Sequence, residues 1–294
     1  MRGKLALMFM FYLLPLAATE KEPKSFPLGG DVFLGLDSFR SLPEGSFGGN
    51  MGALGGLNLA CAVPSQNQGV GVQGGGSFGL YSWNGRGSTD SKALQLQGFV
   101  TLGLFRQTLH DKGFNAGACY DWNIEGKYGV FGLSPTLSQA RGQFGYLFKG
   151  GNEFGFLGSY ATEIAHKHFG ALPIKFKAIS QVNAFWRHIF KNRGETMVWA
   201  GTPYQKGLMY NSGRAGNYIV GTSFRAPLTY SLSMYGHGVY MGARGGSGAT
   251  QSKNYAANVS FGLTYSFGGC KAGSRPYLPL ANNSNFLVDT NTNY

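Results

Sequence analysis

Residues 258–269 read NVSFGLTYSFGG. Every second side chain is apolar: Val259, Phe261, Leu263, Tyr265 and Phe267. Between them stand Asn258, Ser260, Gly262, Thr264 and Ser266, all small or polar. Strict alternation is the mark of a strand with one apolar face. That face can be turned to a protein core, or to lipid while the opposite face meets water. The two cases demand different things of the rest of the chain.

The same alternation recurs. Residues 94–105 put Leu94, Leu96, Val100, Leu102 and Leu104 on one face, with Gln95, Gln97, Phe99 and Thr101 on the other. Residues 114–125 separate Phe114, Ala116, Ala118, Tyr120, Trp122 and Ile124 from Asn115, Gly117, Cys119, Asp121, Asn123 and Glu125. Residues 218–228 set Tyr218, Val220, Phe224 and Leu228 against Ser223 and Arg225. Looser runs lie at 31–40, 51–63, 69–83, 131–148, 153–165, 176–190, 196–204 and 231–242, which makes twelve candidate strands. The segment 131–148 is interrupted by Pro135 and Arg141. A helix over 90–109, with Asp90 and Ser91 as caps, is the rival there, but Gly98, Val100, Thr101 and Gly103 are poor helix formers. Runs of ten or more residues exceed the ~5–6 of soluble strands and fit the ~9–11 of a membrane strand.

The connections point the same way. Short turns fall near 65–69, 110–112, 149–152, 191–195 and 227–230. Longer ones fall near 41–49, 84–92, 166–175, 205–216 and 242–253, with EGKYG at 125–129 as the exception. Short turns at one end and long loops at the other characterise an up-and-down barrel in an outer membrane. Trp83, Trp122, Tyr218 and Tyr255 fall near the long-loop ends, and Phe105, Phe148, Phe154, Phe190 and Phe267 near the short-turn ends. Two aromatic girdles would be placed this way.

Composition agrees. The 294 residues include 48 glycines without a Gly-X-Y period, and aromatics at 15% exceed charged residues at 13%. This excludes collagen and disorder and disfavours helices. Residues 1–18 hold Arg2 and Lys4, an apolar run from Leu5 to Leu16 and Ala17-Ala18, the pattern of a secretory signal peptide. No later apolar run is long enough for a spanning helix. Cys61, Cys119 and Cys270 have neither metal-like spacing nor an obvious partner and read as small buried residues.

The stretch Ser260-Phe261-Gly262-Leu263-Thr264-Tyr265-Ser266-Phe267 resembles the terminal assembly signal of Gram-negative outer-membrane β-barrels. The matching positions are Ser260, Gly262, Tyr265 and Phe267. The resemblance implies recognition by the barrel-assembly machinery. Here 27 residues follow Phe267, whereas many family members end at the aromatic. The second half of this tail is similar to that of an uncharacterised, porin-like group of such barrels.

These readings give an expectation. The chain is all-β: a signal peptide over 1–18, a short segment over 19–30, one transmembrane antiparallel barrel over 31–269 with about 12 strands (10–14), and a periplasmic tail over 270–294. Both termini are expected in the periplasm. The lumen face carries Gln95, Gln97, Asp121, Glu153, Glu163, Lys177, Arg187 and Arg225. A hairpin register in which paired numbers sum to 340 sets Glu163 opposite Lys177 and Glu153 opposite Arg187, keeping charge away from lipid. The formal charge of +12 gathers in the long connections, at Arg86, Lys92, Lys127, Lys167, Lys175, Lys206, Arg214, Arg244 and Lys253. A basic outer mouth would collect anions or the phosphates of lipopolysaccharide.

No catalytic group or cofactor is expected. His166 and His168 lack a third ligand, the run GVGVQGGG at 69–76 lacks the ending of a phosphate loop, and no nucleophile elbow occurs. The favoured function is a narrow passive channel for small, anionic solutes, embedded in outer-membrane lipid, with no nucleic-acid partner and with a tail that could reach into the lumen or touch peptidoglycan. The alternative is a structural or adhesive surface barrel with a plugged lumen. A barrel enzyme acting on lipid is a third reading.

Overall fold

The computed structural model describes residues 28–45, 49–63, 68–82, 94–108, 111–208, 213–243, 255–268 and 276–292. Residues 1–18, expected as a signal peptide, and Trp83 lie outside them, and β1 starts at Leu28, three residues before the expected strand.

Twelve antiparallel strands close into a barrel. They are β1 (Leu28–Arg40), β2 (Asn50–Val63), β3 (Gln68–Ser82), β4 (Gln95–Thr108), β5 (Gly113–Gly126), β6 (Thr136–Leu147), β7 (Asn152–Ala161), β10 (Gln181–Ile189), β11 (Glu195–Pro203), β12 (Ile219–Pro227), β13 (Leu232–Met241) and β14 (Ala256–Gly268). Each pairs with its sequence neighbour in this set, and β1 pairs with β14. Three strands stand apart as a second sheet: β8 (Ala165–Phe169), β9 (Leu172–Ala178) and β15 (Val288–Thr290), in the order β15-β9-β8.

The alternation of β14 is realised across the barrel wall. Val259, Phe261 and Leu263 point outward and are about half exposed or more, while Asn258, Ser260 and Thr264 are buried inside. Leu102, Leu104 and Phe156 likewise cover the outside of their strands, and Gln97, Thr101, Asp121 and Glu153 the inside. An apolar outside and a polar inside are what a lipid-facing barrel requires.

Three boundaries differ from the sequence reading. Pro135 ends a long connection, so β6 begins at Thr136, and the 127–135 loop with its Tyr128–Leu133 bridge removes the one exception to the loop alternation. The run 153–165 stops at Ala161, and 176–190 starts in the barrel only at Gln181. Strands β10, β11 and β12 have nine residues, one fewer than expected.

The outward aromatics gather at both ends. Phe114, Phe144, Tyr146, Phe148 and Phe154 form a chain of ring contacts toward the short turns, continued on β10 by Trp186, His188 and Phe190. Toward the long loops, Tyr218, Tyr240 and Tyr255 stack, and Tyr120 meets Trp122. Phe105 departs from the girdle. Its odd-numbered place on β4 turns it inward, where it is 3% exposed.

At the closing seam Gly35 of β1 pairs with Gly262 of β14. The Tyr235 ring of β13 lies over both, and a Cβ at Gly262 would run into the Leu34 carbonyl and the ring. This gives a steric reason for glycine at that place in the assembly-like motif. Gly262→Val is expected to weaken the seam by about 1–3 kcal/mol, since overpacking forces backbone shifts. The check is heat-modifiable gel mobility: the fraction migrating as closed barrel should disappear at a lower temperature.

Candidate functional site

The lumen is the natural site, and it is filled. Residues 276–292 run through it from the short-turn end to the long-loop end. Near the short turns the Tyr277 hydroxyl donates to Glu153 Oε1. Gln73 then grips the Leu278 backbone twice, accepting from its N–H at 3.1 Å and donating to its carbonyl. Arg141 Nη2 donates to the Pro279 carbonyl at 2.6 Å, the Leu280 N–H donates to Asn58 Oδ1 at 2.9 Å, and the Ala281 N–H donates to Thr101 Oγ1 at 3.0 Å. Asn283 donates to Asp37 Oδ2 at 2.9 Å and exchanges two amide bonds with Gln97. Gln139 donates to the Asn285 carbonyl at 3.0 Å. Beyond the wall, β15 adds to β9, placing Val288 opposite Ala178 and Thr290 opposite Phe176.

Apolar packing reinforces this. Tyr277 and Leu278 cluster with Ala60, Phe105 and Cys119. Leu280, Ala281, Phe286 and Val288 join Phe39, Tyr81, Phe99 and Tyr128, together with Ile174 and Phe176 of β9. Glycine makes room at one point: a Cβ at Gly117 would press on Leu278, while one at Gly75 would strike the Leu57 carbonyl and Asn58 Oδ1, the acceptor of the Leu280 N–H. Of the tail expected over 270–294, residues 277–285 are bonded inside the lumen, one of the two places open to it. Its polar Asn and Ser residues match the wall's amides and carboxylates, and its Tyr, Leu and Phe residues supply an interior that the wall alone lacks. The last described residues lie at the long-loop end, opposite the end where β1 begins. There Ser284 Oγ donates to Asn282 Oδ1 at 2.6 Å.

Wall charge is arranged in pairs. Arg141 binds Asp121 through Nε at 2.9 Å and Nη2 at 3.1 Å, with Thr101 and Gln139 also donating to that carboxylate. Arg187 pairs with Glu153, which also accepts from Asn115. Arg225 pairs with Asp31 at 2.8 Å. Burying an ion pair is tolerable when further hydrogen bonds complete both partners, as here.

Of the expected lumen residues, Gln95, Gln97, Asp121, Glu153, Arg187 and Arg225 face inward. The register sum of 340 holds for Glu153 and Arg187. It fails for Glu163 and Lys177, because the chain leaves the barrel at Ala161 and the β8–β9 hairpin is shifted by one residue. Glu163 is exposed and accepts from Ser138 at 2.8 Å, and Lys177 of β9 donates to the Lys206 carbonyl at 2.9 Å. Lys127, Lys167, Lys175, Lys206 and Arg214 belong to long-loop connections, while Arg86, Lys92, Arg244 and Lys253 lie outside the described residues. Ser260 and Gly262 face inward, Tyr265 and Phe267 outward. Cys61 and Cys119 are free thiols, Cys119 buried and Cys61 partly so; Cys270 is outside the described residues.

Sequence reasoning missed Asp31, Asp37 and Arg141 as lumen groups. Each had a signal. Asp31 and Asp37 alternate with Val32, Leu34 and Leu36, and Arg141 shares parity with Gln139 and Gln143.

At the long-loop end a short 3-10 turn, Leu42–Glu44, caps the wall. Glu44 accepts from the Ser41 N–H at 2.6 Å, Tyr128 donates to Ser41 Oγ at 2.8 Å, and the Val130 N–H reaches the Pro43 carbonyl at 2.9 Å. Burial pushes the Glu44 carboxyl up to about 8, with the nearby Glu125 charge adding to the rise. The folded loop therefore favours the neutral acid. That stabilisation is complete below the ordinary carboxylate range and drains away as pH climbs through 8. Amide exchange of residues 42–45, corrected for intrinsic rate, should quicken between pH 6 and pH 9, and Glu44→Gln should flatten the change.

A family model of a family of unknown function, DUF6666, matches residues 28–288. The chain belongs to DUF6666. The DUF6666 match covers every barrel strand and reaches the start of β15, so it includes the lumen segment. No curated protein matches the sequence. Among solved structures, an outer membrane channel from Pseudomonas putida F1 is similar at 10% identity and a TM-score of 0.52, over 84% of this chain and 100% of that one. An outer membrane phospholipase from Salmonella typhi is similar at 9% identity and 0.44, over 80% and 90%. The transport unit of an Escherichia coli autotransporter is similar at 14% and 0.39, over 88% and 97%. At such identities the likeness to the Pseudomonas channel is one of fold, and it makes this DUF6666 chain a barrel of outer-membrane type.

Proposed function

We propose that the protein sits in a Gram-negative outer membrane as a barrel held shut by its own C-terminal segment, with long loops outward and short turns in the periplasm. The observation that supports this reading is the passage of residues 276–292 through the lumen, bonded to inward side chains of β1 to β4, β6 and β7. A wall that spends Gln73, Asn58, Thr101, Gln97, Gln139 and Arg141 on a peptide leaves no open path beside it. The resting role is that of the plugged surface barrel, which carries the β8–β9–β15 sheet and the basic loops at the cell surface. Lys167 and Lys175 of that hairpin suit contact with lipopolysaccharide phosphates, and β14 suits recognition by the assembly machinery. A tail taken up in the lumen is not presented to peptidoglycan.

The passive channel is then a second state, reached only when the segment withdraws. Planar-bilayer recording of the unmodified full-length chain tests the resting state. We expect electrical silence at moderate voltage. A steady ohmic current from every inserted molecule would overturn the reading.

A further inference from the structure

Which ions would cross the opened barrel is a separate question, and it rests on the closure reading above. Net charge at the loops favours anions. The wall says otherwise. None of the twelve barrel strands contains a lysine, and of their five arginines Arg40 and Arg106 lie on the outward face. The remaining three, Arg141, Arg187 and Arg225, are each spent on a carboxylate. Asp37 and Glu125 are left over. Asp37 accepts from Tyr81, Asn258 and Asn283, and Glu125 from Gln95 and Gln97, all neutral donors. The two acids are joined by one chain of bonds, Asp37 to Asn283 to Gln97 to Glu125, so they flank the same stretch of lumen. At the short-turn end Glu195 stands opposite Arg225 and adds a further negative charge.

We infer that the conduit uncovered when the segment leaves passes small cations in preference to anions, with Asp37 and Glu125 setting the preference. Water replacing the segment hydrates both carboxylates, which then line the path without a guanidinium. The basic loops act weakly on this choice. Exposed charges are screened over about 8–10 Å at 0.1–0.15 M salt, whereas charges lining the path act on the ion at close range, as acidic rings do in cation channels.

The test uses the full-length chain carrying the uncharged substitutions Tyr277→Ser, Leu280→Ser and Phe286→Ser, in planar bilayers under a tenfold KCl gradient. The zero-current potential should take the sign of potassium, with a K+ to Cl− permeability ratio of about 3 or more. Adding D37N and E125Q should bring the ratio near unity. A preference for chloride, or a cation preference unmoved by D37N and E125Q, would overturn the inference and leave the closure reading standing. Silence from a variant that still shows heat-shifted mobility would overturn closure and inference together. The unmodified chain in urea below the barrel's unfolding range provides the same measurement without substitutions, with the same outcomes.

Discussion

Full-length chain carrying Y277S, L280S and F286S conducts in planar bilayers where the unmodified chain is silent, and it keeps the heat-shifted mobility of a closed barrel. The expectation follows from how the segment is held. Ordering a peptide inside the lumen costs roughly 1–2 kcal/mol of backbone entropy per residue. Tyr277, Leu280 and Phe286 are almost fully buried and belong to two separate apolar clusters. Truncating a large buried side chain costs about 2–5 kcal/mol, and here the whole loss falls on docking, because the barrel strands keep their own ladders. Losing three anchors shifts the balance toward the withdrawn segment. Limited proteolysis gives a parallel readout: the segment becomes cleavable while the barrel stays resistant. A variant that keeps the barrel mobility yet stays silent would overturn closure by the segment.

The second large effect belongs to the wall. Asp121→Ala should destabilise the barrel by about 3–5 kcal/mol, the usual cost of leaving one member of a buried ion pair alone. Arg141 is 4% exposed and directs Nε and Nη2 at Asp121. Without that carboxylate it keeps the Pro279 carbonyl of the lumen segment and the Cys119 thiol, both uncharged. The double variant D121A/R141L removes both charges and should recover most of the loss, because the desolvation cost disappears with them. The midpoint of urea unfolding in detergent or lipid, followed by tryptophan fluorescence, measures both. A shift below 1 kcal/mol for D121A would mean that water reaches Arg141 freely.

Much of the barrel was legible because lipid imposes a period. Val259, Phe261 and Leu263 cannot exchange faces with Ser260, Gly262 and Thr264 without burying polar groups in hydrocarbon, so the alternation is kept. The same parity told Gln95, Gln97 and Asp121 apart from their neighbours. It failed where a residue's type argued against its parity. Phe105 looked like a girdle aromatic and is an interior contact of Tyr277 and Leu278. Arg141 looked like a break in a strand and is a wall charge with a partner. The hairpin pairing of Glu163 with Lys177 failed because a strand's end is set by where the membrane stops, which periodicity alone does not mark. The tail was the least legible part. RPYLPLANNSNFLVDTNTNY has neither alternation nor helical period, since it forms no ladder in the barrel and answers to a tunnel lined by other segments. Its composition of small amides, prolines and scattered apolar residues matches a disordered peptide as well as a docked one.

A thread through a closed ring imposes an order of events. Residues 286–292 come to rest at the far mouth, and Tyr277 and Phe286 are broad against a bore already crowded by Phe99 and Phe105. Drawing such a strand through a finished ring is the costlier route. The hydrogen-bonding partners of Tyr277 to Asn285 lie on β1 to β4, β6 and β7, while Leu287 clusters with Phe185, Trp199 and Ile219 of the later strands; the concave side of the earlier strands stands open until β14 reaches β1. We read the ring as shutting around a thread already laid in place, which makes the final seam the step that imprisons residues 276–292.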